Sequence, residues 1–122
     1  MPNKRILLVE DDRSIRDAIQ ELLETEGYTV NSAENGQVAI EVLRSLHELP
    51  RLILLDLMMP VMDGIRFREV QELDPTLGQI PVVILSADGQ IGAKKLRIGA
   101  AGFIRKPLDI DEVLQKIEHY FH

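Results

Sequence analysis

A short, unbroken apolar run recurs along this chain, and between successive runs lies a longer stretch with helical spacing. The runs are Ile6 to Val9, a short one around Tyr28 to Val30, Leu52 to Leu55, Val82 to Leu85, and Phe103 to Ile104. Each is too short for an ordinary helix, and continuous rather than alternating apolar character is what a strand buried on both faces requires. Gly27, Pro50, Pro81 and Gly102 precede four of them and end the preceding helix or connection. Between the runs, Ile15, Ala18, Ile19, Leu22 and Leu23 fall on one helical face, as do Ile110, Val113, Leu114, Ile117 and Phe121. Val38, Ala39, Val42, Leu43 and Leu46 form a third stripe, opened by Asn35-Gly36 as a turn or cap. Gly64 to Leu73 and Gln90 to Ile98 carry thinner stripes, which predicts helices less firmly packed and more able to move.

Parallel neighbours need crossovers, and nearly all such crossovers are right-handed. The alternation therefore predicts an α/β fold, a single doubly wound (βα)5 sandwich over residues 1–122. A flavodoxin-like parallel five-stranded sheet of order 2-1-3-4-5 suits it, with the ligand crevice at the carboxyl ends, beside the switch between strands 1 and 3.

Composition narrows the function. There is no cysteine, which excludes a disulfide framework, a Cys-ligated zinc, an iron–sulfur cluster and thiol catalysis. Fourteen Lys and Arg against twenty Asp and Glu leave a net charge of −6, so nucleic acid is not an expected direct partner. The first apolar run stops at Glu10, too short for a signal-peptide core or a membrane span, and a cytoplasmic protein without membrane contact is expected.

Just past four of the runs stand Glu10-Asp11-Asp12, Asp56, Ser86 and Lys106, while the second run ends without such a group. The predicted strand order brings those four ends to one crevice. Carboxylates meeting there repel, by roughly 4 kcal/mol per pair at 4 Å and an effective dielectric of 20. Oxygen ligands with no His or Cys nearby select a hard cation, Mg²⁺ or Mn²⁺. Each group also has a simpler reading: Asp12 or Ser14 can cap the first helix, Asp56 can be a solvated strand end, Ser86 can cap a helix, and Lys106 can be an ordinary surface lysine. Together they could hold a divalent ion, a carboxylate nucleophile and a phosphoryl group. His47, His119 and His122 lie away from the crevice, and Met59 and Met62 read as loop packing.

Ile6 to Asp12, Leu55 to Gly64, Pro81 to Ala87 and Gly102 to Pro107, in this order and spacing, resemble the response-regulator receiver family, the CheY-like phosphoacceptor modules of two-component signalling. The resemblance covers essentially the whole chain. It implies that Asp56 is the phosphoacceptor, that Asp11, Asp12, Asp56 and the backbone carbonyl of Met58 bind Mg²⁺, that Ser86 bonds the phosphoryl group and that Lys106 pairs with it. A cis Lys106–Pro107 bond is implied as well. The donor would be a histidine kinase, a histidine phosphotransfer protein or a small phosphodonor.

The output would be a switch in which Ser86 moves inward and Phe103 rotates, altering the face formed by the fourth helix, fifth strand and fifth helix. Lys94, Lys95 and Arg105 are expected near that face, for a downstream effector, an output domain or a homodimer partner. Phe103 stands where many relatives have tyrosine, so its coupling is by packing alone. By the same resemblance, Met58 and Asp88 occupy the positions that tune loss of the phosphoryl group in the family, and Met58 cannot strongly bond an attacking water. The chain is thus expected to be a signalling phosphoacceptor rather than an enzyme. The alternatives are a Mg²⁺-dependent phosphatase with an aspartyl nucleophile, which wants a second acid where Met58 stands, and a receiver-like module that signals without phosphorylation. A flavin or nucleotide binder would want a phosphate cradle where Glu10-Asp11-Asp12 stands.

Overall fold

A computed structural model describes residues 3–57, 59, 61–86 and 99–121 of the chain. Its elements are β1 (Arg5–Val9), α1 (Arg13–Thr25), β2 (Thr29–Ala33), α2 (Gly36–Ser45), β3 (Leu52–Asp56), α3 (Gly64–Leu73), a 3-10 turn at Leu77–Gln79, β4 (Val82–Ser86), β5 (Gly102–Arg105) and α4 (Ile110–Glu118). All strand pairs are parallel and the order is β2-β1-β3-β4-β5, the flavodoxin-like arrangement that the alternation predicts. The expected Gln90 to Ile98 helix lies outside the described residues.

Continuous apolar strands are explained by two cores, one on each face of the sheet. Leu7, Val9, Ile53, Leu55, Val82 and Ile84 face Ala39, Leu43 and Phe67 of α2 and α3. Ile6, Leu8, Leu52, Leu54, Val83, Leu85 and Ile104 face Ile19, Leu23, Val113 and Ile117 of α1 and α4. Each helix is opened by a short acid or amide side chain, Asp12, Asn35, Asp63 or Asp109, that accepts a backbone N–H three residues on.

Three details differ from the sequence reading. The second strand runs Thr29–Ala33 rather than around Tyr28 to Val30, because as an edge strand it tolerates the half-buried Asn31 and Ser32 while pairing with β1 over its whole length. Exposed Glu34 follows it. In α4, Ile110 is 60% exposed and only Val113 and Ile117 are buried. Phe121 lies beyond that helix, its ring edge-on to Tyr28 with centroids 5.0 Å apart.

The third difference is in α3, whose apolar stripe understates its packing. It buries Gly64, Phe67 and Gln71, and two of those three are not apolar side chains. Gln71 is fully buried, and its Nε2 donates to the carbonyls of Leu77 (2.7 Å) and Ile80 (3.1 Å), tying the helix to the turn before β4. Its Oε1 has no hydrogen-bond partner among the described residues. Gln71→Leu is therefore expected to cost about 1–2 kcal/mol, since two carbonyls lose a donor while one unsatisfied oxygen disappears. Urea unfolding measures this, and an unchanged midpoint would show that those bonds add nothing net.

Candidate functional site

The site grows out of the carboxyl ends of β1, β3 and β5. Val9 is paired with Leu55, so the next residues, Glu10 and Asp56, come side by side. Both are buried, at 0% and 4% exposure, and ionised carboxylates in such places require partners. Lys106, one residue past β5, supplies one: its Nζ is 2.7 Å from Glu10 Oε1 and 3.5 Å from Asp56 Oδ2. The other Glu10 oxygen accepts the Asp12 N–H at 3.1 Å. Burial alone would lower the Lys106 pKa, but the hydrogen bond to Glu10 and the charges of Asp56 and Glu10 outweigh it and hold the ammonium above its ordinary value. The Lys106–Pro107 peptide is cis.

Carboxylate oxygens of Glu10, Asp11 and Asp56 all lie within 4.8 Å of one another. Among the described residues three carboxylates thus face one ammonium, an excess that a divalent cation would neutralise. The donor set is entirely oxygen, which fits Mg²⁺ or Mn²⁺. Asp12, expected among the ligands, lies outside this trio. Its Oδ1 accepts the Ile15 N–H at 3.0 Å and caps α1.

Ser86 closes β4, in register with Arg105 of β5 and one residue beyond the Leu85 that pairs with Asp56. Phe103 is half-buried against the α2–α3 core, with Lys116 Nζ 5.8 Å from its ring centroid. A cavity of about 700 Å³ lies along β5 and α4, lined by Phe103, Arg105, Lys116 and His119 among others but by none of the carboxylates. His47 and His119 are exposed, away from the acidic crevice. Met58, Asp88, Lys94, Lys95 and His122 lie outside the described residues.

The sequence places Glu10, Asp11 and Asp12 together at the crevice and the family resemblance implies Asp11 and Asp12 as ligands, whereas the structure brings Glu10 beside Asp11 and Asp56. The signal was present in its position, since Glu10 follows its apolar run just as Asp56 follows Leu52 to Leu55.

The backbone of the Asp56 turn is held by Gly64. Its N–H donates to the Leu57 carbonyl at 3.1 Å, and a Cβ there would come within 2.7 Å of Asp56 O and 2.8 Å of Leu57 Cα. Such a contact with backbone cannot be relieved by a rotamer change. Gly64→Ala is expected to lose roughly 1–3 kcal/mol in urea unfolding, and a variant as stable as the parent would mean that the turn yields freely.

A sequence profile of the response regulator receiver domain matches residues 6–118. The chain belongs to that family. Among curated proteins, this receiver is 34% identical over 123 residues to sporulation initiation phosphotransferase F of Bacillus subtilis, covering 98% of the chain and 95% of that protein. It is 33% identical over 115 residues to response regulator MprA of Mycobacterium ulcerans, where 93% of the chain matches 48% of the relative, about half its length. Among solved structures, the signal receiver domain of a signal transduction histidine kinase from Syntrophus aciditrophicus superposes with a TM-score of 0.86 at 30% identity, covering 97% of the receiver and 89% of that chain. No helix among the described residues of the receiver is long and apolar enough to cross a membrane.

Proposed function

We propose that residues 1–122 act as one phosphorylation-activated receiver domain in which Asp56 takes a phosphoryl group from a histidine kinase, a histidine phosphotransfer protein or a small phosphodonor. The observation that carries this is a nearly buried Asp56 at the end of β3, with Lys106 Nζ at 3.5 Å and the oxygens of Glu10 and Asp11 within 4.8 Å. Similarity to a sporulation phosphotransferase supports phosphoryl chemistry.

An Asp56 carboxylate oxygen attacks phosphorus in line, the bond from phosphorus to the donor nitrogen or oxygen breaks, and the leaving group keeps that electron pair. Lys106 turns from Glu10 toward the new phosphoryl oxygens, and the Ser86 hydroxyl donates to one of them. Glu10, Asp11 and Asp56, with the Met58 carbonyl that the family resemblance implies, would hold the divalent ion, while Asp12 serves the same turn as a helix cap. Bound there, Mg²⁺ supplies positive charge against the phosphoryl oxygens. The β5 and α4 surface around Phe103 then changes and is read by an effector protein, an output domain or a second copy, in the cytoplasm.

Intact-mass analysis after incubation with acetyl phosphate tests this reading. One labile phosphoryl adduct is expected with Mg²⁺ and none with chelator. Absence of an adduct in folded, Mg²⁺-loaded protein, with no phosphate released, would leave a module that signals without phosphorylation, whereas sustained release would favour a phosphatase.

A further inference from the structure

Arg16, which closes the first turn of α1, sends its side chain back over the strand–helix turn that carries the acids. Its Nη1 donates to the carbonyl of Glu10 at 2.8 Å and lies 3.4 Å from that of Asp11, while its backbone N–H bonds the Asp12 carbonyl at 2.9 Å. The side chain thus grips two consecutive carbonyls, beside an ordinary helical backbone bond at the next, and those peptide units set the directions in which Glu10 and Asp11 project.

We propose that Arg16 is a positioning residue for the divalent-cation site, fixing the backbone of residues 10–12 so that the Glu10 and Asp11 carboxylates converge on Asp56. This rests on the reading of that crevice as a Mg²⁺ site. The carboxylates repel each other, so without such a tether the turn would relax by swinging exposed Asp11 toward water, and the ion would have to supply the cost of bringing it back. Asp12 cannot replace the tether. Its cap orders the first turn of α1, but only its N–H reaches a member of the trio, at Glu10 Oε2.

Charge and positioning predict opposite signs, which makes the test decisive. Arg16 is a cation near a cation site, so deleting its charge would by itself tighten Mg²⁺ binding. Loss of positioning would weaken it, by roughly tenfold if the tether acts like other groups that orient metal ligands. The experiment is calorimetric titration of MgCl₂ into metal-free wild type, Arg16→Met, Arg16→Gln and Arg16→Lys, with circular dichroism to establish folding.

Weaker binding in the Met and Gln variants and partial recovery in Arg16→Lys, whose ammonium can still donate to a carbonyl, are expected. Wild-type or tighter affinity in a folded Met or Gln variant overturns the assignment while leaving the Mg²⁺ site intact. If Arg16→Met does not fold, Arg16→Gln decides alone. No Mg²⁺ binding by the wild type overturns the cation-site reading itself, and the role of Arg16 with it.

Discussion

Asp56→Asn is expected to abolish the phosphoryl adduct completely and, in metal-free buffer, to raise rather than lower the melting temperature. An amide oxygen is not a nucleophile toward phosphorus under conditions in which a carboxylate is, so no slow residual reaction should remain at this position. The stability effect follows from the charges around residue 56. Glu10 and Asp11 repel its carboxylate, whereas Lys106, at 3.5 Å from Asp56, is already engaged at 2.7 Å by Glu10. Among the described residues, two repulsions and the burial of a charge at 4% exposure are removed for the one ion pair with Lys106. A gain of about 1 kcal/mol would raise the melting temperature of a chain this size by roughly 3–6 °C. Mg²⁺ should then stabilise the wild type more than the variant, because the variant has one fewer charged ligand. A melting temperature lower in the variant than in the wild type without metal would mean that the favourable contacts of the Asp56 carboxylate, that with Lys106 among them, outweigh both repulsions.

Lys106→Met should act in the opposite direction, costing about 3 kcal/mol. The ammonium is the cationic partner of a carboxylate with no solvent exposure, and Glu10 would be left to bury its charge without that counter-ion. Lys106 is itself 18% exposed, which places the cost at the low end for a broken buried pair. The raised pKa of Lys106 provides a pH signature: its contribution is full at neutral pH and is lost as the solution is made alkaline enough to deprotonate it, so the loss in Lys106→Met should shrink at strongly alkaline pH. Adding Glu10→Gln to Lys106→Met should restore much of the stability, since the remaining amide needs no counter-charge. A double-mutant cycle in urea measures this coupling, and independent, additive effects would show that the pair contributes through neither charge.

Much of this architecture is legible in the sequence because β1, β3 and β4 are covered on both faces, so their residues advertise themselves as unbroken apolar runs. Legibility fails where burial is one-sided or polar. The edge strand β2 contains Asn31 and Ser32 and reads as shorter than it is, and α3 hides part of its buried face in a glycine and a glutamine. Within the site, the spacing points to Asp56 and Lys106 individually. That Glu10 comes beside Asp56 takes the register of β1 against β3, a relation between two strands that neither states alone. The reach of Arg16 to the turn before its own helix is likewise a matter of side-chain conformation and leaves no periodic trace.

The two-sided sheet has a consequence for how such a protein can change. In β1 and β3, odd-numbered side chains enter one core and even-numbered ones the other, and Asp56 is the last even position of its strand. Losing one residue inside β3 would turn every side chain beyond the loss, the acid included, to the opposite layer in the same step. The interior and the chemistry are therefore written in a single reading frame, where exchange of one side chain for another can be gradual but a change of length cannot.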